Sequence, residues 1–157
     1  MKKIILAVMM LIGTSTAFAG DSEPLKAILK AQNYAEAANL VQSTLDQLAG
    51  NEEKAKAYNR LYELAMKKVN YEEGIQLENE TQKQMGKEGN KPVDEKGLYA
   101  AVGAAFNSGV EAIKYDNMPN QKGKVKPKYA ALVESVYKLR NDLINGGVYY
   151  QGKDDKM

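Results

Sequence analysis

The sequence predicts an all-α fold, and three features carry that prediction. Strand signals are weak, because β-branched runs are missing and no stretch alternates apolar and polar residues for long. Apolar residues recur instead at intervals of three and four, the spacing that places them on one face of a helix. Glycine- and proline-rich breaks then separate the periodic stretches at Pro24, Gly50-Asn51, Gly86 to Pro92 and Met118 to Pro127.

Taken in order, the first segment is export machinery. Lys2 and Lys3 form a basic start, Ile4 to Ile12 is apolar, and Ala17-Phe18-Ala19 supplies the small-x-small pattern of a cleavage site. The apolar run is shorter than the roughly 20 residues a membrane helix needs, so residues 1–19 are expected to be a signal peptide. No Cys follows the site, which closes the lipoprotein route. Residues 20–157 are one domain's worth of chain, with helices expected at 24–31, 34–48, 52–69, 71–86, 94–116 and 127–151. Asn141-Asp142 is the candidate break in the last of these. Ala55, Tyr58, Tyr62, Ala65 and Val69 make one packing stripe. Leu98, Ala101, Val102, Ala105, Gly109, Ala112 and Ile113 make a second, and Leu132, Val133, Val136, Leu139 and Leu143 a third. The small residues Gly97, Ala101, Ala105 and Gly109 point to close helix packing in a core, since Lys96, Asn107, Glu111 and Lys114 surround them too closely for a membrane span.

Charge and residue inventory then narrow the function. The chain carries 22 basic and 20 acidic residues, and removal of Lys2 and Lys3 with the signal leaves the two signs equal. A balanced surface gives no electrostatic footprint for nucleic acid. There is no His for acid–base work near neutral pH and no Cys nucleophile. That inventory also removes imidazole and thiolate metal sites. Glu72-Glu73 is an adjacent carboxylate pair, but helix neighbours point about 100° apart and do not converge on one substrate. A calcium loop fails at Met118, which stands where an Asp or Asn ligand is needed after Asp116. The expectation is a protein without catalytic residues, cofactor or metal.

Two turns share a pattern. Asn33-Tyr34-Ala35-Glu36-Ala37 and Asn70-Tyr71-Glu72-Glu73-Gly74 both read Asn-Tyr-x-Glu-small, with 37 residues between the asparagines. Tyr58-x-x-Leu61-Tyr62-x-x-Ala65 occupies the helix before the second turn, Gly146 and Tyr149 repeat a Gly-x-x-Tyr spacing near the end, and Gly152-Lys153-Asp154-Asp155 resembles a third turn. In these features the chain resembles the tetratricopeptide repeat (TPR) family, whose helix pairs of about 34 residues stack into a solenoid, and in particular secreted TPR proteins of Gram-negative bacteria. It departs from the family at Gly74, Glu78 and Tyr62, lacks Trp, and has 84 residues between Asn70 and Asp154. The resemblance implies a periplasmic location, a short solenoid and a concave face that holds a peptide or partner protein. Carried onto the second unit, Asn59, Glu63 and Met66 would face that groove.

Two more segments are candidate contact sites. A TPR turn at the C-terminus should lead into another helix, so Val148, Tyr149 and Tyr150 are expected to be partly uncovered; this end either docks on another chain, a second copy included, or belongs to a truncated repeat protein. The loop from Tyr115 to Tyr129 carries Lys122, Lys124 and Lys126 alternating with small or apolar residues, a pattern suited to an acidic partner. The sequence thus predicts an adaptor that binds a protein or peptide, with a self-associating subunit or a remnant without a task as the alternatives.

Overall fold

The computed structural model describes residues 20–154, and the expected signal peptide lies outside the described residues. Among the described residues the fold is all-α, with no strand. Helix α1 (Glu23–Lys30) opens on Ser22, whose hydroxyl caps Leu25 N–H, with Pro24 in the first turn where its missing N–H costs nothing. The chain then extends at Ala31 and re-enters α2 (Tyr34–Thr44) through Asn33, whose side chain accepts from Glu36 N–H at 2.9 Å. Glu36 in turn accepts from Gln32 N–H at 3.1 Å, the reciprocal exchange of a capping box. A short 3-10 turn (Leu45–Gln47) follows, and Gly50, at a φ of 104°, admits the chain to α3 (Asn51–Gln84).

The helix α3 corrects the sequence reading. Its 34 residues run without interruption through Asn70, where the expectation placed the end of one helix and the start of another. Asn33 and Asn70 sit in the same local string and meet opposite fates. Asn33 is itself in an extended conformation, so its side chain is free to cap. Around Asn70, Val69 is fully buried against Leu98 and Val102, and Glu72 is tied to Lys68 one turn earlier. Packing on both sides of Asn70 thus carries the helix through it. The expected turn from Gly152 likewise does not form, since α6 continues to Asp154.

Antiparallel to the first two thirds of α3 lies α4 (Glu95–Asp116), and this pair is the spine of the molecule. Each side of the spine carries a smaller helix pair. On one side Leu25, Ile28, Ala37 and Val41 of α1 and α2 pack against Ala57, Leu61 and Leu64 of α3. On the other, α5 (Leu132–Lys138) and α6 (Arg140–Asp154) lean on α4 through Leu132, Val136, Leu139 and Leu143. The last helix therefore breaks at Leu139 rather than at Asn141-Asp142, and residues 127–131 stay outside it. Leu139 N–H bonds three residues back to Val136, which tightens the backbone at the junction.

The small-residue stripe works as expected only in part. Ala105 and Gly109 are buried where α3, α4 and α5 meet. A Cβ on Gly109 would fall inside contact distance of Val136 Cγ2 and 3.3 Å from the Tyr62 ring. Gly97 serves another purpose, since it gives its N–H to the α4 cap Asp94 at 2.9 Å. Seven tyrosines (34, 58, 62, 99, 115, 129 and 149) are half-buried, whereas Tyr71 and Tyr137 are exposed; Tyr58 and Tyr115 stack at 5.7 Å between α3 and α4. Gly109→Ala is expected to overpack the junction and cost roughly 1–3 kcal/mol in urea denaturation. Gly103→Ala, with nothing within 4 Å of the new methyl, should be neutral or stabilise by up to about 1 kcal/mol through helix propensity.

Candidate functional site

An open apolar groove lies where α4, α5 and α6 converge. Phe106, Val136, Tyr137, Arg140, Leu143 and Ile144 line a cavity of about 550 Å³. Its origin is a second apolar face on the C-terminal helices. Leu132, Val136, Leu139 and Leu143 face α4, but Val133, Tyr137, Ile144 and Val148 look the other way, and each is more than half exposed. Val133 was expected within the buried stripe and instead lies on this open face. Together with Arg140, these residues follow one another at intervals of four, three, four and four, so they form one row along α5 and α6. Exposed apolar residues scattered singly are ordinary; a contiguous row beside a cavity is not.

The row's one charge is Arg140. It is exposed and makes no ion pair or hydrogen bond among the described residues. Lys138, beside it, is already matched with Glu134 at 2.8 Å. At the far end Tyr149 is half-buried against Tyr99, with ring centroids 5.1 Å apart, and Tyr150 remains 40% exposed. Gly146 permits this seating, because a Cβ there would lie 3.2–3.4 Å from Tyr99. The end expected to be uncovered is thus split: Val148 and Tyr150 are open, and Tyr149 is partly packed on its own chain.

The other sequence candidates lie elsewhere. Asn59 and Glu63 bond to each other at 2.8 Å beside Arg60, on the rim of a shallow hollow of about 250 Å³ next to Tyr129. Met66 is not with them; it is half-buried and packs beneath α4 beside Ala65 and Val69. Lys122, Lys124 and Lys126 are all exposed on a loop that is firmly held. Asn120 accepts from Lys122 and Lys124 N–H, Gln121 donates to Ala49 O at 2.7 Å, and Asn51 donates to Pro119 O at 2.9 Å. The groove residues, the lysine loop and the C-terminal end, read from the sequence as separate candidates, lie in separate regions of the structure. Phe106, Tyr137, Arg140 and Ile144 went unnoticed. The signal was the i, i+4 pairs Val133/Tyr137 and Ile144/Val148, offset from the buried stripe: a helix apolar on two sides has two surfaces to cover.

Three carboxylates are buried, and each accepts from at least one backbone N–H. Glu53 accepts from Ser22 N–H and Oγ and from Ala49 N–H at 2.6–2.7 Å, which ties the start of α1 to the start of α3. Asp116 accepts from Lys128 and Tyr129 N–H at 2.8–2.9 Å and closes the lysine loop. Glu72 accepts from Lys68 Nζ at 2.5 Å and from Asp94 N–H at 2.9 Å, which sets where α4 begins. The Lys68 hydrogen bond, with the Asp94 N–H second, holds the Glu72 carboxyl below the usual range. Asp94 is lowered as well, first by the Gly97 N–H and then by Lys68. Among the described residues no group of three or more His, Cys, Asp or Glu could hold a metal ion, and no helix is long and apolar enough to cross a membrane. No protein-family model matches the chain, and neither does any curated protein or solved structure.

Glu53→Ala strands the Ser22 and Ala49 donors, so a loss of roughly 1–3 kcal/mol is expected by chemical denaturation. Glu72 and Asp94 have lowered folded-state pKa values, so their contribution is complete above the unfolded carboxylate range, about 4, and disappears as pH falls through the folded values. Melting temperature followed from pH 7 to pH 3 should therefore drop less steeply in the Glu72→Gln, Asp94→Asn double variant than in the wild type.

Proposed function

We propose that this chain is an exported, non-catalytic interaction protein that holds a partner protein through the groove between α4 and α5–α6. One observation carries the reading: a cavity of about 550 Å³ whose walls are almost wholly apolar, continued by a row of exposed Val133, Tyr137, Ile144 and Val148. Leaving such a row in water forgoes about 25 cal/mol for each Å² that a partner could cover, and aromatic anchors beside an Arg are the composition of interface centres. The non-catalytic part is supported by the buried carboxylates, which accept from backbone N–H groups, the Ser22 hydroxyl and the Lys68 ammonium. Export to the periplasm rests on the ordered basic, apolar and small-residue segments at 1–19. The TPR-like part of the reading draws on the α1–α2 hairpin, where a capped Asn33 turn and the buried Ala37 and Val41 reproduce the repeat pattern.

The test is site-specific photocross-linking in cells. A benzophenone side chain at Tyr137 should give a discrete adduct with a second protein, identifiable by mass spectrometry. The same group at Lys87, exposed beyond the end of α3, should give none, and charge reversal at Lys122, Lys124 and Lys126 should leave the Tyr137 adduct unchanged. Adducts at Lys87 but not at Tyr137 would remove the groove from consideration, and an adduct abolished by the lysine reversals would move the contact to the loop.

A further inference from the structure

Building on the interaction reading above, we infer that the groove's occupant is a single amphipathic helix from a partner chain, laid along α5 and α6 with a carboxylate against Arg140. The choice of a helix follows from what the groove cannot offer. Phe106, Val136, Leu143 and Ile144 have no polar side-chain atoms, and the backbone behind them is spent within helices. An extended peptide pressed into this wall would lose water from N–H and C=O groups that find no replacement partner, a cost comparable to a broken hydrogen bond for each. A helix brings its backbone bonds with it. Two helices flanking a trough also present the grooves into which the side-chain ridges of a third can fit.

Length and register agree. The row from Val133 to Val148 covers about 22 Å at 1.5 Å per residue, close to four turns, and its four-three-four-four spacing matches the anchor spacing of a helix lying alongside. A partner with apolar residues at i, i+3 or i+4, and i+7 can meet Val133, Tyr137, Ile144 and Val148 in succession.

The carboxylate follows from Arg140. This guanidinium stands mid-row with no ion pair among the described residues, while the neighbouring Lys138 is matched by Glu134. Covering it without an acceptor would bury an uncompensated charge, which is strongly unfavourable. A carboxylate on the incoming helix supplies a bidentate, charge-assisted pair. A second copy of this chain does not supply one. A two-fold pairing of the rows about their midpoints sets Arg140 against Arg140. Glu134 is paired with Lys138, and Asp142 sits on the other side, toward Glu73 and Tyr99.

Two synthetic 18-residue helical peptides test this directly. Both carry leucines at the i, i+3, i+4, i+7 positions; one has a glutamate at the edge of that face, and its twin has a lysine there. Fluorescence anisotropy with the purified protein at low salt should show about tenfold tighter binding of the glutamate peptide, the size of one favourable charge pair. Arg140→Glu should reverse the preference, and Tyr137→Asp with Ile144→Asp should abolish binding of both peptides while the far-ultraviolet circular dichroism spectrum stays helical. Equal binding of the two peptides, unmoved by Arg140→Glu, would overturn the carboxylate assignment and leave the apolar interface standing. Failure of both peptides to bind, with a protein dimer that Tyr137→Asp dissolves, would overturn the helix in favour of a second copy. Failure of both with a monomeric protein would overturn the helix and the groove reading together.

Discussion

The close approach of α3 and α4 is the constraint on which the rest of the molecule depends. Small residues let the two backbones draw together: Ala65 faces Ala105, and Gly109 leaves room for both the Tyr62 ring and the Val136 methyl. Larger side chains then close the seam on either side, with Val69, Leu98 and Val102 at one end and Tyr58 and Tyr62 against Ala112 at the other. Dense packing of this kind has few alternative arrangements, because each side chain occupies the space its neighbours leave. It is also why α3 stays helical through Asn70. A break there would pull Val69 from its fully buried position and uncover Leu98 and Val102. The local tendency of an Asn-Tyr string to begin a new helix is smaller than that loss.

Charge cross-braces the spine. Glu53, Glu72 and Asp116 sit at the joints where α1 meets α3, where α4 begins, and where the lysine loop closes. Each answers N–H groups that a helix start or a tight loop would otherwise leave unpaired. Buried acids look like candidates for chemistry when only burial is considered. Their partners give the reason for the burial: each carboxylate is matched by hydrogen-bond donors, backbone N–H groups among them.

The apolar groove is a consequence of how α5 and α6 are attached. Their inner face satisfies α4, and nothing among the described residues lies over the outer one. A row of apolar residues interrupted by one unpaired arginine is costly for a protein that meets only water, and well suited to one that meets another chain. The lysine loop is a different kind of surface. It is pinned at both ends by side-chain amides and Asp116, so its three cations are displayed on a fixed frame rather than on a slack tether.

The sequence by itself determined the fold class and placed the starts of α1 to α4 to within one residue. The structure then shows Ser22, Asn33 and Asp94 capping α1, α2 and α4, a local transaction between a side chain and N–H groups two or three residues away. The packing stripes were legible for the same reason, Val133 apart, since helical periodicity records which face is buried. The groove was half legible: Val133/Tyr137 and Ile144/Val148 were visible as pairs, but only the packing of α5 and α6 on α4 showed that they formed one open row with Phe106 behind it. Tertiary structure alone decided that α3 is one helix, that Met66 turns inward while Asn59 and Glu63 stay at the rim, and that the final pair divides at Leu139. In each case contacts with residues distant in the chain, which no short window of sequence contains, made the choice.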